Sequence, residues 1–351
     1  MPKLNILFIV NGEGLGNIHR SLFVCDFLAK KNHSITIATS AQAYEKMKLL
    51  ERYQTLKIQS MPYAQSLNGQ INFLKTFSHF FNWIKILLHN SKQLEPFYKN
   101  ADIIFVDSEY TIALLKVFKR SKALIISINN AANILQAKNW KYFRFKLIPS
   151  FWIEFFDYFF NMLFADQVII PTLPGQTKFK GKFKSIPAFT RFTISDYTKR
   201  KSQSKKNIFI VPSSSKFQYG WEFLDHVKIA DNHQYYTLGF KVKGQPSFTE
   251  LPKSFNLAQF TDSIDLIITR GGLTTLSEAV TLEAPTLILP FPNHFEQVVN
   301  AYDAQQLGYG LILDPDKFSE NVAQALNLNI DKSINREEIT HILNEIVKCN
   351  T

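Results

Sequence analysis

The sequence predicts an α/β protein with two doubly wound domains in tandem, each built on a parallel sheet. Three observations support this fold: apolar runs alternate with helical stretches, a glycine-rich turn opens the chain, and a polar basic segment divides it. The runs of the first half are residues 4–10, 33–39, 103–106, 124–128 and 168–170. Those of the second half are residues 207–212, 235–240, 265–270, 285–291 and 310–313.

The chain length and a polar segment set the expected domain boundaries. At 351 residues the chain can form two domains of ordinary size. Residues 196–206 contain almost no apolar side chains and are typical of a linker. We therefore expect a first domain at 1–195, a linker at 196–206, a second domain at 207–335 and a closing amphipathic helix at 336–351.

Composition narrows the class of protein. Two cysteines occur, without histidines at ligand spacing, so neither a disulfide framework nor a zinc site is expected. We expect no metal and no cofactor. The first apolar run leads into a glycine-rich turn instead of a cleavage site, and no uncharged run approaches the roughly 20 residues that span a bilayer. These features favour a cytoplasmic protein.

Charge is distributed unevenly along the chain. The net charge is +11, but residues 1–206 hold 30 Lys and Arg against 12 Asp and Glu, a balance of +18. Residues 207–351 hold 10 against 17, a balance of −7. An asymmetry of this size predicts an anionic partner for the first domain, either nucleic acid or a membrane surface. The acidic second half argues against nucleic acid.

The first domain also carries an aromatic, basic insertion. Residues 71–89 and 140–164 are rich in Phe and Trp with interleaved Lys and Arg. In the second stretch Glu154, Asp157 and Asn161 form a narrow polar stripe on an otherwise apolar helix. Core packing is one interpretation. Combined with the basic balance, the pattern favours peripheral docking on the anionic inner face of a membrane.

Residues 268–301 carry the strongest chemical signal. A strand ends at Arg270, the Gly271–Gly272 pair makes a tight turn, and a helix begins near Thr274. Glycines let the backbone approach an anion, and the N–H groups of a helix start point toward it. Thr274 and Thr275 add hydroxyl donors, and Glu278 could accept both hydroxyls of a ribose. The pattern predicts a diphosphate site that needs no Mg²⁺.

Residues 265–310 resemble the donor-binding signature of GT-B glycosyltransferases, which consist of two Rossmann-like domains facing across a cleft. The matching residues are Asp265, Arg270, Gly271, Gly272, Thr275, Ser277, Glu278, Ala279, Pro285, Pro290, Glu296, Gln297, Asn300 and Ala301. The resemblance implies ribose binding at Glu278 and donor-sugar contacts at Glu296 and Gln297. It further implies inverting, metal-independent transfer from a nucleotide diphosphate sugar, by expectation a UDP-sugar, to a hydroxyl of a lipid or glycan acceptor.

The glycine loop at residues 11–20 resembles a bacterial and archaeal branch of these enzymes, related to the peptidoglycan N-acetylglucosaminyltransferases and UDP-glycosyltransferases. Gly12, Gly14, Gly16 and Arg20 match its G-x-G-x-G-H-x-x-R pattern, but Asn17 replaces the histidine. The loop is expected to face the donor.

Two further positions belong to the predicted donor site. Arg191 stands where related enzymes place an arginine near the donor. Ser214 lies in PSSSK at 212–216, where the branch has a Gly-Gly-Ser type of turn. Its hydroxyl could donate to a phosphate, although a backbone that requires positive φ would lose its glycines there.

The catalytic base has to be another residue than Asn17, because an amide does not take up a proton near neutral pH. Asp107, at the end of a strand, is the first candidate. Glu13 in the glycine loop is the second and His19 the third. Residue 17 and residues 212–216 differ from the pattern of the family, so a protein that binds a nucleotide sugar without catalysis is an alternative. A nucleotide-sugar epimerase on the same fold is another alternative, and a nucleic-acid binder rests on charge alone.

Overall fold

The computed structural model describes residues 2–13, 15–62, 78–176, 178–190, 205–212, 220–252, 257, 263–330, 334 and 336–348. Their strands form two parallel sheets, one of seven strands in the first half and one of six in the second. The seven strands are β1 (Asn5–Val10), β2 (Ser34–Thr39), β3 (Gln54–Lys57), β4 (Ile103–Asp107), β5 (Leu124–Ile128), β6 (Gln167–Thr172) and β7 (Phe183–Pro187). The six are β8 (Lys206–Val211), β9 (His233–Leu238), β10 (Phe248–Leu251), β11 (Leu266–Thr269), β12 (Thr286–Ile288) and β13 (Gly310–Ile312).

Helices separate the strands in both halves, as the alternating pattern predicts. Those of the first half are α1 (Gly16–Ala29), α2 (Ala41–Leu50), α3 (Phe80–Asn100), α4 (Thr111–Phe118), α5 (Ala131–Ile134) and α6 (Ile148–Phe164). Those of the second are α7 (Leu273–Thr281), α8 (Phe295–Gln306), α9 (Phe318–Leu326) and α10 (Arg336–Lys348). The two-sheet α/β architecture is confirmed.

The strand orders are β3-β2-β1-β4-β5-β6-β7 and β10-β9-β8-β11-β12-β13. The direction of winding therefore reverses between β1 and β4 in one sheet and between β8 and β11 in the other. Ligands of open parallel sheets bind beyond the carboxyl ends of the strands at such reversal points. The loops that follow β1 and β11 are the two glycine-rich turns of the sequence.

Each of the ten predicted apolar runs coincides with a strand to within two residues at most ends, but three strands were not predicted. These are β3, β7 and β10, all at sheet edges, and each lacks a continuous apolar run. An edge strand pairs on one side and is less enclosed, so its sequence carries a weaker apolar signal.

The aromatic insertion is helical where it is described. The predicted helix at 71–89 is confirmed for residues 80–89, and α3 continues to Asn100; residues 71–77 lie outside the described part. Residues 140–164 begin as two short 3₁₀ turns, and the regular helix starts only at Ile148, followed by Pro149. No helix among the described residues is long and apolar enough to cross a bilayer.

The two halves contact each other directly. The Gln176 amide donates to the Asp303 carboxylate at 2.8 Å, and the Tyr309 hydroxyl donates to the Pro174 carbonyl at 2.9 Å. The rings of Tyr142 and Tyr302 stack with centroids 4.0 Å apart. These contacts fix one sheet relative to the other.

The closing helix α10 returns to the first sheet. Ile339, Leu343 and Ile346 are each about 1% exposed and share a core cluster with residues of β1, β2 and β6. Lys178 on the first half pairs with Glu338 at 3.1 Å. The end of the chain thus stabilises its beginning.

Leu343→Ala is expected to lower the free energy of unfolding by about 2–5 kcal/mol, because it leaves a cavity in the core beneath the first sheet. Denaturant unfolding measures the change. His341→Ala on the exposed side of the same helix is the control, with an expected effect within about 0.5 kcal/mol. Equal, small effects of both substitutions would contradict the docking of α10.

Candidate active site

The Gly271–Gly272 turn is built for a close backbone approach. Gly271 has a φ of +85°, and a Cβ there would lie 3.0 Å from Ile288 Cγ2 and 3.2 Å from the Gln297 carbonyl oxygen. The position therefore requires glycine. The Asn300 side-chain amide donates to the Gly271 carbonyl at 3.1 Å, so Asn300 fixes the turn from α8.

Two helix starts meet in front of this turn. Gly272 is the N-cap of α7, and Gly272, Thr274 and Thr275 are half-buried. A Cβ on Gly16, the first residue of α1, would lie 3.6 Å from the Thr274 hydroxyl oxygen. The positive ends of two helix dipoles, one from each half, converge on one place, which favours an anion there.

The acidic and amide residues of the donor motif lie on α7 and α8, and Gln297 and Asn300 of α8 contact the same turn. Glu278 is 1% exposed, one helical turn into α7. Gln297 is buried, and its side-chain oxygen accepts from the Phe291 backbone N–H at 3.1 Å. Glu296 is half-buried in the first turn of α8. The fold therefore brings the separate parts of the donor motif together.

Arg270 is enclosed by aromatic rings. Its guanidinium lies 4.2 Å from the ring centre of Trp221 and 4.3 Å from that of Phe291, and it donates to the Leu289 carbonyl at 3.1 Å. Burial lowers the pKa of Arg270 to about 10. The stack ties the end of β11 to its neighbours. A direct contact of this side chain with the donor stays a prediction.

Asp107, the first candidate base, lies in a buried ion pair. Arg20 Nε donates to one carboxylate oxygen at 2.7 Å, a second guanidinium nitrogen donates to the other, and the Ser21 hydroxyl donates at 3.1 Å. Asp107 is 1% exposed. Burial raises the pKa of Asp107, whereas Arg20 opposes the rise. With both oxygens engaged, this carboxylate is arranged to orient Arg20.

The other two candidate bases differ in their surroundings. The His19 ring nitrogen contacts the Lys46 ammonium of α2. Glu13 is exposed, and its backbone N–H donates to the Asn11 side chain at 2.9 Å. Asn17 is half-buried at the start of α1. The order of the three candidates stays a prediction, and so does the assignment of the donor residues.

Three predicted site residues, Gly14, Arg191 and Ser214, lie outside the described residues. Within the described part of the chain, no group of three or more His, Cys, Asp and Glu side chains is arranged to hold a metal ion.

The sequence predicts that the polar stripe of α6 lies on a helix, but it does not predict that the stripe lies near the site. Asp157 and Asn161 are buried, and Asp157 accepts from the Tyr110 hydroxyl and, at 3.2 Å, from the Asn129 amide. The opposite, aromatic face is the exposed one. The spacing of Glu154, Asp157 and Asn161 was the available signal, since only an inward face needs polar groups on so apolar a helix.

The chain matches the family model described as glycosyl transferase family 1 over residues 4–147 and 198–330. Among curated proteins, an uncharacterized glycosyltransferase of Methanosarcina mazei is 24% identical over 333 residues, which cover 88% of this chain and 85% of that protein. A second, of Methanopyrus kandleri, is 39% identical over 77 residues, so the match spans 22% of each chain.

A relative with a named activity is also similar. The UDP-N-acetylglucosamine-N-acetylmuramyl-(pentapeptide) pyrophosphoryl-undecaprenol N-acetylglucosamine transferase of Pelagibacter ubique is 26% identical over 305 residues, covering 76% of this chain and 83% of that protein.

Solved structures share the fold. Spinosyn forosaminyltransferase SpnP superposes with a TM-score of 0.67 at 14% identity, covering 99% of this chain and 100% of that one. MurG of Acinetobacter baumannii superposes with a TM-score of 0.58 at 13% identity, again covering 99% and 100%. The chain therefore belongs to glycosyl transferase family 1 and is a glycosyltransferase with the GT-B fold.

Proposed function

We propose that this glycosyltransferase moves a sugar from a nucleotide diphosphate sugar to a hydroxyl group, with inversion and without a metal ion. The observation that carries the proposal is the convergence of α1 and α7 at Gly16 and Thr274. Two helix starts from different domains provide backbone N–H groups and positive potential where a diphosphate would depart.

The donor is proposed to lie along α7 and α8. Its diphosphate would meet the Gly271–Gly272 turn and the hydroxyls of Thr274 and Thr275, and its ribose would bind Glu278. The sugar would then extend toward Glu296 and Gln297 in the first turn of α8. The name of the Pelagibacter ubique relative specifies UDP-N-acetylglucosamine, which supports a UDP-sugar here.

The reaction is a single displacement at the anomeric carbon. The acceptor oxygen attacks from the face opposite the diphosphate and forms the new glycosidic bond. The bond to the diphosphate breaks, and its electron pair leaves with the diphosphate oxygen. The acceptor proton passes to a base. Because attack and departure occur on opposite faces, the configuration inverts.

The acceptor is proposed to be a lipid-linked or surface glycan reached at a membrane. The first domain has an aromatic face, defined here as its exposed apolar residues on α3, α4, α6 and the turns before α6. They are Phe80, Phe81, Ile84, Leu88, Val117, Phe118, Trp140, Phe145, Ile148, Trp152, Phe155, Phe156, Phe159, Met162 and Leu163. Helix α4 packs against both α3 and α6, so these side chains belong to neighbouring helices.

Charge supports the same partner. Lys85, Lys141, Arg144 and Lys146 lie within or beside the aromatic face, and all four are exposed. Apolar insertion and attraction to anionic lipid would therefore act on one side of the domain. We propose that the protein binds the inner face of the membrane peripherally.

Glu278→Ala is expected to weaken UDP-sugar binding at least about tenfold, which corresponds to the loss of a charge-assisted hydrogen bond worth about 1.5–3 kcal/mol. Calorimetric titration measures the affinity. Because Glu278 is buried, Glu278→Gln serves as a second, isosteric variant, and the melting temperature of each is recorded. Glu320→Ala, exposed on α9, is the charge-matched control. Wild-type affinity in both folded Glu278 variants would refute the ribose assignment.

Vesicles test the aromatic face. The wild-type protein is expected to float with vesicles that contain anionic lipid and to be released by high salt. The double variant Phe145→Ser/Phe156→Ser should reduce partitioning at least about tenfold while keeping the melting temperature, since both side chains are exposed.

The matched control for the vesicle experiment is Leu49→Ser. This residue is 86% exposed on α2, outside the aromatic face, and its substitution should leave partitioning unchanged. An equal loss in the control, or a wild-type protein that does not float at low salt, would contradict membrane docking.

A further inference from the structure

Helices α6 and α8 contact each other near their starts, across the two domains. The Phe295 backbone N–H donates to the Ser150 hydroxyl at 2.8 Å, and the Phe151 and Phe295 rings lie 5.6 Å apart. Phe143 closes the cluster with its ring 6.2 Å from that of Phe295, which is fully buried. This contact fixes the side chains that follow on each helix.

One carboxylate follows on each helix. Glu154 lies one turn after Ser150 on α6, and Glu296 lies directly after Phe295 on α8. The two carboxylates repel each other, and Asp157 adds to the repulsion at Glu154, while the Arg20 guanidinium attracts it. Acidic groups of both domains therefore gather beside Arg20, one turn along α1 from Gly16.

Glu154 differs from Asp107 and Asp157 in its hydrogen bonding. Asp107 is engaged by Arg20 and Ser21, and Asp157 by Tyr110 and Asn129. For Glu154, no hydrogen bond to another described residue is formed, and its side chain is half-buried. The carboxylate is therefore partly open to solvent while surrounded closely by protein.

We propose that Glu154 is the proton acceptor for the attacking hydroxyl. The assignment rests on the proposed function, in which Glu296 lies beside the donor sugar. A base has to be unpaired, reachable from the cleft and near the anomeric carbon. Glu154 meets the first condition among the described residues, its partial exposure favours the second, and its electrostatic interaction with Glu296 favours the third. Asn17 cannot take up the proton, and Asp107 is committed to Arg20.

In the proposed step the acceptor O–H bond breaks and its proton moves to a Glu154 carboxylate oxygen. The electron pair left on the acceptor oxygen forms the bond to the anomeric carbon. The bond between the anomeric carbon and the diphosphate breaks, and its electrons leave with the diphosphate. Glu154 ends the step protonated and neutral, which relieves its repulsion from Glu296 and Asp157. The proton then returns to solvent when products leave.

The electrostatics of the cluster favour proton uptake by Glu154. Burial raises the pKa of Glu154 well above its ordinary value, and Glu296 and Asp157 raise it further, while Arg20 opposes them. His294, the N-cap of α8, has its pKa lowered by burial and partly restored by Glu296. A carboxylate with a raised pKa is the stronger proton acceptor once it is ionised.

The raised pKa of Glu154 also affects the stability of the fold. A carboxylic acid whose pKa is higher in the folded than in the unfolded state favours folding at low pH, and this contribution is lost as pH rises from the ordinary pKa through the raised pKa of the folded state. Ionised Glu154 therefore destabilises the fold. Glu154→Gln, which keeps the shape and removes the charge, is expected to raise the melting temperature.

The test compares Glu154→Gln with wild type in the full chain, with a UDP-sugar that wild type binds. Turnover is expected to fall at least a hundredfold, the donor dissociation constant to stay within about twofold, and the melting temperature to rise or hold. Glu154→Ala, which leaves space beside the acceptor, should regain part of its turnover with added formate as a substitute base.

Asp157→Asn is the comparison variant within the cluster. The substitution removes the negative charge of Asp157, which accepts hydrogen bonds from Tyr110 and Asn129 and repels ionised Glu154. The pKa of Glu154 should therefore fall, so the acid limb of the pH-rate profile is expected to move to lower pH and to remain present. Asp107→Asn is expected to lower the melting temperature because it breaks the pair with Arg20. A higher melting temperature together with lost turnover is thus specific to Glu154.

Wild-type turnover in Glu154→Gln would overturn the assignment while leaving the proposed function intact. Loss of turnover with a lowered melting temperature and no formate rescue in Glu154→Ala would also overturn it, in favour of a structural role. Failure of the wild-type protein to bind or turn over any nucleotide diphosphate sugar would instead refute the proposed function itself.

Discussion

The contact between α6 and α8 is the constraint on which the cleft depends. Phe295 is buried among aromatic residues of the first domain, and its backbone N–H is satisfied by Ser150. Burying an aromatic ring contributes roughly 1.5–3 kcal/mol, and an unsatisfied N–H would cost a comparable amount. This packing at the edge of the site adds to the contacts that fix the two domains relative to each other, and the acidic residues on both helices follow directly from it along the chain.

Helix α6 inverts the usual arrangement of an amphipathic helix. Its few polar groups point inward, where Asp157 is held by Tyr110 and Asn129, and its aromatic side chains point outward. Soluble monomers rarely expose contiguous apolar patches of this kind unless a partner covers them. Helix α6 thus carries both proposed functional surfaces. Its inner face holds the candidate base, and its outer face is part of the proposed lipid-binding surface. An acceptor held in the membrane would approach the cleft from the side on which α6 lies.

Much of the fold follows from local sequence, whereas part of the site does not. The ten apolar runs and the Gly271–Gly272 turn are contiguous patterns, so the central strands and the donor motif could be predicted. Edge strands β3, β7 and β10 lack such a pattern. The position of Glu154 beside Glu296 joins residues about 140 apart in the chain, and only packing between domains creates it. The burial of Asp107 against Arg20 is likewise a tertiary effect that a strand-end position alone does not reveal.

The proposed reaction depends above all on the two converging helix starts holding the diphosphate of the donor. A crystal structure of the protein with bound UDP tests it most directly. We expect diphosphate oxygens within about 2.7–3.2 Å of backbone N–H groups at the start of α7, with the ribose hydroxyls on Glu278. A diphosphate bound away from the Gly271–Gly272 turn, with Glu278 facing no part of the nucleotide, would contradict it.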